Sequence, residues 1–317
     1  MNNEKPSTYF STFSGIGGFE IGIGSRATCV GYSEIDRYAS QIYQAHFPSH
    51  KNYGDITRID AADLPDFDLY VGGFPCQAFS IAGKRAGFND TRGTLFFDVA
   101  RILEIKRPKH FLLENVKGLL SHDDGRTFKT IIATLVQLGY GVEWQVLNSK
   151  DFGVPQNRER VFIVGHLGGE CRYQIFPLRS DGGETTQTIG TIEQGAQGIA
   201  TRHLGRNGAL ISPIASTVQV AEIPHISIGT INRGEFKNTD IALTIPASYY
   251  KGHDNHGARP MLRSSSRIRR LTPIECERLQ GFPDGWTEGV SDTQRYKTLG
   301  NAVTVNVIEA VISAMYN

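Results

Sequence analysis

Short apolar runs punctuate the first two-thirds of the chain: Tyr9–Phe13, Ala27–Ser33, Phe67–Val71, His110–Leu113, Val142–Leu147 and Val161–Val164. Each has the length and the β-branched or aromatic content of a buried strand. Between them lie segments at helical spacing, from Phe19, over Thr91–Ile105 and over Gly125–Leu138. Within Thr91–Ile105, Leu95, Phe96, Val99, Ile102 and Leu103 form one apolar face. Strands alternating with helices close a core around a parallel sheet. The chain is therefore expected to be α/β, with its chemistry at the carboxyl ends of the strands.

Those ends carry unusual residues. Phe13-Ser14-Gly15-Ile16-Gly17-Gly18 follows the first strand, and a glycine turn there lets backbone approach a ligand, although such turns also close plain hairpins. The second strand ends in Glu34, where a nucleotide fold places an acid for ribose hydroxyls; a solvated surface acid is the alternative. Asn52-Tyr-Gly-Asp55 reads as a further strand end, with Asp55 either facing an adenine amino group or only forming a turn. The fourth strand, Phe67–Val71, breaks at Gly72-Gly-Phe-Pro-Cys76-Gln-Ala-Phe-Ser80. A buried cysteine is ordinarily an inert small hydrophobe, but packing alone needs no such backbone, so Cys76 reads as reactive. The next strand stops at Glu114-Asn115-Val116. In Gln156-Asn-Arg158-Glu-Arg160 two arginines at alternating positions enter a strand on one face, as site residues or as solvated edge residues.

After about His166 helical periodicity fades, and β-branched residues in short segments such as Ile226–Ile231 and Ile241–Ile245 predict a small, mostly β domain. Arg263–Arg270 is a basic run suited to phosphates or to a solvated hinge. Thr272, Pro273 and Glu275 form a helix start, and the apolar C-terminal helix is expected to return to the large sheet. A formal net charge of +1 means that any nucleic-acid binding comes from local patches. Four scattered cysteines without metal spacing argue against a disulfide scaffold or a zinc site and for a reducing cytoplasm. No apolar run approaches membrane length, and Met1–Ser7 lacks a signal peptide's hydrophobic region.

In order and spacing, these motifs resemble those of the DNA cytosine-5 methyltransferases, especially the bacterial restriction-modification enzymes. Phe13–Gly18, Pro75-Cys76-Gln77, Glu114-Asn115-Val116, Gln156-x-Arg158-x-Arg160, the Arg270–Pro283 region and Gly300-Asn-Ala-Val303 carry the likeness. Phe74 stands where many members have proline, and the small domain matches little beyond a segment around Thr244. The resemblance implies a Rossmann-like AdoMet-dependent methyltransferase sheet with a smaller, mostly β target-recognition domain. Residues 1–168 and 296–317 would be catalytic, and 169–295 recognition domain and hinge. It implies methyl transfer from S-adenosylmethionine to C5 of a flipped cytosine in a short sequence of double-stranded DNA, with S-adenosylhomocysteine released and no metal.

Cys76, Glu114, Arg158 and Arg160 would be catalytic: the thiol attacks C6, Glu114 is protonated or shares a proton with N3, and the arginines hold the base carbonyl or Glu114. Phe13, Ser14, Gly15, Ile16, Gly17, Glu34, Asp55, Leu95, Asn301 and Val303 would line the cofactor pocket. Gln77, Ser80, Thr244 and Arg233 would meet DNA, with Lys237 and Tyr249 as further candidates for base readout. A monomer acting beside a cognate restriction endonuclease in the cytoplasm is expected. The competing readings are an RNA methyltransferase of the same family, which usually carries a Cys-Phe-Thr tripeptide absent here, a nicotinamide dehydrogenase, and a catalytically silent DNA-binding regulator.

Overall fold

The computed structural model describes residues 5–75, 95–168, 175, 176, 178, 189–192, 200–201, 226–232, 235–239, 241–251, 259–264 and 267–316. Cys76, Gln77, Ser80 and Arg233 lie outside these residues.

The elements run β1 (Thr8–Thr12), α1 (Gly18–Ile23), β2 (Thr28–Ser33), α2 (Arg37–His46), β3 (Leu69–Gly72), α3 (Leu95–Lys106), β4 (His110–Val116), α4 (Arg126–Gln137), β5 (Tyr140–Asn148), β6 (Gln156–Asn157) and β7 (Glu159–Leu167). They continue with β8 (Ile189–Ile192), β9 (Ala200–Thr201), β10 (Ile226–Asn232), β11 (Glu235–Asn238), β12 (Ala242–Leu243), β13 (Arg259–Ser264), β14 (Arg267–Arg270), α5 (Pro273–Leu279), α6 (Asp292–Asn301) and α7 (Val305–Tyr316). The large sheet has the order β2-β1-β3-β4-β7-β5-β8-β9. Its first four strands are parallel, and β7 runs antiparallel between β4 and β5. The sheet is thus mixed rather than wholly parallel.

Consecutive strand residues project to opposite faces. Phe10, Tyr70 and Leu113 accordingly join α3 and α4 in one core, while Tyr9, Leu69, Val71 and Leu112 join α1 and α7 in the other. Both faces are covered, which is why these strands read as unbroken apolar runs. The C-terminal helix returns to the sheet as expected. By length and composition alone Asp292–Tyr316 could cross a membrane. The run nevertheless breaks into two helices at Ala302–Thr304, and α7 buries Val307, Ile308, Val311 and Ile312 in the sheet's core.

The chain passes from β1 to β2 on one side and then places β3 on the other side of β1. Loops diverging from such a switch point leave a crevice at the strands' carboxyl ends. Around Asn52 the chain makes one bridge to Tyr32 and no strand, so the strand leading to Cys76 is the third, not the fourth. β10, β11, β13 and β14 form a separate antiparallel sheet in the order β11-β10-β13-β14. A third core joins Ile16, Ala39 and Ile42 to Tyr249, Cys276, Leu279, Phe282, Tyr296 and Leu299, and it spans the domain boundary expected at 295/296. Thr272 and Glu275 form the anticipated capping box.

Candidate active site

Where β3 and β4 end, the glycines allow close approach. A methyl group on Gly73 would stand 3.0 Å from Glu114 Oε2, so the Glu114 carboxylate lies directly against the backbone that leads to Cys76. The Asn115 carboxamide donates to the Phe74 carbonyl at 2.7 Å and is itself buried. This bond fixes the loop two residues before the cysteine. Glu114 pairs with Phe162 in the β4–β7 ladder, which puts Arg160 on the diagonal of the same face. Arg160 Nε meets Glu114 Oε1 at 3.0 Å, with both side chains largely shielded from solvent.

Arg158 behaves differently. Its side chain is fully buried and donates through Nη2 to the carbonyls of Gly300, at 3.2 Å, and Ala302, at 2.7 Å. Among the described residues, Nε and Nη1 have no hydrogen-bond partner. Burial, reinforced by the charge of Arg160, pulls its guanidinium down to about 9. Beside it β6 pairs with β12, and Thr244 Oγ1 donates to the Asn157 carbonyl at 2.8 Å.

The glycine loop forms the other side of the crevice. Gly15 and Gly17 have φ of 57° and 88°, in the region only glycine adopts freely. Phe13 takes a φ of 52°, an outlier for so bulky a residue and the kind of strain that gathers at ligand sites. The Gly15 N–H donates to Glu34 Oε2 at 2.8 Å, and the Asp36 N–H to Glu34 Oε1 at 2.7 Å. Burial raises the Glu34 carboxyl above its ordinary range, partly offset by the backbone N–H groups of Asp36, Gly15 and Ile35. Asn52 completes the rim: its Oδ1 accepts from the Glu34 and Gly54 N–H groups, and its Nδ2 donates to the Glu34 carbonyl. Asp55 Oδ1 caps the following turn by accepting from Thr57, which lowers its carboxyl.

A family model for C-5 cytosine-specific DNA methylases matches residues 7–317. The chain belongs to this family. It is 40% identical to the Type II methyltransferase M1.ScrFI of Lactococcus lactis subsp. cremoris, over 99% of this chain and 80% of that one. It is 42% identical to M.NlaX of Neisseria lactamica, over 96% and 94% of the two chains. The S. pombe Dnmt2 methyltransferase shares the fold, with a TM-score of 0.67 at 20% identity and 98% of both chains covered. The protein is a DNA methyltransferase acting at C5 of cytosine.

S-adenosylmethionine is the cofactor this methylase family implies, and the residues present fit it. A methyl group added at Gly15 or Gly54 would meet nothing closer than 4.0 Å, so open space adjoins the rim at both glycines. Ile35 is 73% exposed beside Glu34 and offers the rim an apolar surface. Val303 comes back against the loop, because a methyl group on Gly18 would lie 2.7 Å from its Cγ2. Leu95 is half-buried at the start of α3, Asn301 is exposed, and Ser14 bonds Ser11 beneath the loop at 2.9 Å. Ile16 points into the third core and gives its carbonyl to Trp286 Nε1 at 2.8 Å.

Tyr249 leaves the list of base-reading candidates. It is fully buried, donates to the Pro260 carbonyl and accepts from the Leu271 N–H. Sequence reasoning overlooked Asn52, Ile35 and Trp286. For Trp286 no local signal existed, since its partners His46 and Ile16 are distant in sequence.

Proposed function

We propose that this methyltransferase modifies one cytosine within a short specific sequence of double-stranded DNA through a transient Cys76–C6 bond. The observation that carries the reading is the Glu114–Arg160 pair set against the Gly73–Phe74 backbone that leads to Cys76.

Cytosine C5 is a weak nucleophile within an aromatic ring. The Cys76 thiolate adds to C6, and the displaced electron pair makes C5 an enamine carbon, splitting one hard step into easier ones. Negative charge that would gather on the ring is met by Glu114, which shares a proton with N3. Arg160 holds the Glu114 carboxyl in place and lends positive charge beside the base. S-adenosylmethionine, when bound, supplies the electrophilic methyl group that C5 accepts. Phe13, the Gly15–Gly17 backbone, Glu34, Asp55, Leu95, Asn301 and Val303 hold it, with Glu34 on the ribose hydroxyls and Asp55 on the adenine amino group. A water then takes the C5 proton, and the electron pair left behind re-forms the C5–C6 double bond and expels the thiolate.

The base must leave the helical stack to be reached, at about a few kcal/mol. Gln77, Ser80 and Thr244 hold the opened strand, and Arg233 and the small β domain meet the major groove, where all four base pairs differ. The enzyme works as a cytoplasmic monomer without a metal, beside an endonuclease of the same site; the Type II names of its relatives support that setting.

The covalent step is tested by incubating the protein and S-adenosylmethionine with mixed-sequence duplex containing 5-fluorocytosine, which after methyl transfer has no C5 proton to lose, so the Cys76–C6 bond persists. The reading expects a denaturation-resistant protein–DNA adduct mapped by mass spectrometry to Cys76. Methylation of ordinary DNA without any such adduct would contradict it.

A further inference from the structure

Three segments distant in sequence meet at Arg158. The Gly300–Val303 loop is one: Gly300 and Ala302 give their carbonyls to Arg158 Nη2, while Val303 packs on Gly18 of the glycine loop. The Ala242–Ala247 segment is the second. It pairs with β6, bonds Asn157 through Thr244, and presses so close that a methyl group on Gly300 would lie 2.4 Å from the Ala247 nitrogen. The third runs from Arg158 through Glu159 to Arg160, which holds Glu114.

We infer that Arg158 is a positioning residue that couples the floor of the cofactor pocket to the base pocket, so that filling the first orders the second. This deepens the methyltransferase reading above and rests on it. Packing alone does not explain the residue. Among the described residues two donors of this buried guanidinium are unpartnered, a destabilising arrangement, and both side-chain polar atoms of the fully buried neighbour Gln156 are unpartnered too. Arg158 Nη2 instead ties the Gly300 and Ala302 carbonyls of the pocket floor to the short stretch that holds Arg160 on Glu114. Coupling of this kind is reciprocal, and because Arg158 also anchors the Gly300 and Ala302 carbonyls at the pocket floor, removing it weakens cofactor binding even without DNA.

The test uses the whole protein and S-adenosylhomocysteine. Calorimetric titration of Arg158→Lys and Arg158→Gln should show affinity for S-adenosylhomocysteine falling tenfold or more, with the lysine variant recovering part of the loss. Unchanged affinity with methylation abolished would assign Arg158 to the base directly and overturn the coupling. If neither variant folds, hydrogen exchange on the wild type decides. Adding S-adenosylhomocysteine should protect both 299–304 and 156–160, and protection confined to 299–304 overturns the proposal. A wild type that binds S-adenosylhomocysteine but methylates no DNA would instead count against the underlying functional reading.

Discussion

Arg160 Nε lies 3.0 Å from Glu114 Oε1 across the β4–β7 ladder, and this pair stands where the backbone leads to Cys76. Two strands and one loop, far apart in sequence, thereby converge on one face.

Replacing Arg160 by lysine keeps the charge but loses the planar fork that meets a carboxylate. The variant should lose about 100-fold in kcat, with S-adenosylhomocysteine affinity within about twofold of the wild type. Steady-state methylation kinetics alongside calorimetry measures both. Equal losses in each would place Arg160 in the cofactor site instead.

Cys76→Ser should abolish turnover while cofactor binding persists, because a hydroxyl lacks the thiolate's nucleophilicity near neutral pH. Filter-binding of labelled S-adenosylmethionine, set beside methyl transfer to DNA, separates the two. Normal turnover by this variant would remove the mechanism.

Trp286 bonds the Ile16 carbonyl and stacks on His46 with ring centroids 3.5 Å apart, so it reports directly on the glycine loop. The chain has two tryptophans, and Trp144 is buried under the far part of the sheet with Phe128. Cofactor-product titration should change the fluorescence of Trp144→Phe and leave that of Trp286→Phe unchanged. The Trp286→Phe variant should also lose about 1 kcal/mol of stability through its missing hydrogen bond, read as a lower Tm.

Glu20, on α1 behind the glycine loop, is 3% exposed, and among the described residues neither carboxyl oxygen has a hydrogen bond of good geometry. Burial pushes its carboxyl up to about 7, with the nearby Ser11 and Tyr43 hydroxyls opposing. The folded protein therefore holds this proton more tightly than the unfolded chain between about pH 4.5 and 7. Its contribution to stability falls as pH rises through that window and is constant above it. Glu20→Gln should raise the Tm at pH 8, by up to roughly 3 kcal/mol of stability, and leave it nearly unchanged at pH 4. Equal shifts at both pH values would contradict the assignment.

Apolar runs revealed β1 to β5 and β7, because strands buried on both faces must be apolar throughout, and helical spacing revealed α1, α3 and α4 but not α2. The antiparallel entry of β7 was not legible, since strand direction depends on the connection rather than on composition. The glycine loop, Glu34 and Glu114 stood out as polar or flexible residues ending apolar runs. Alternation placed Arg158 and Arg160 on one face, yet the two take different partners. Glu114 and the Gly300–Ala302 carbonyls reach them from β4 and from the C-terminal loop, and no local pattern shows that. Asn52 and Trp286 act only through chain segments brought together by folding.

The most direct measurement is base-resolution mapping of 5-methylcytosine in mixed-sequence duplex DNA incubated with the protein and S-adenosylmethionine. The account predicts methylation at one cytosine in every copy of a short motif, abolished by Cys76→Ser. A protein that binds the cofactor and methylates an RNA pool but no DNA would contradict it.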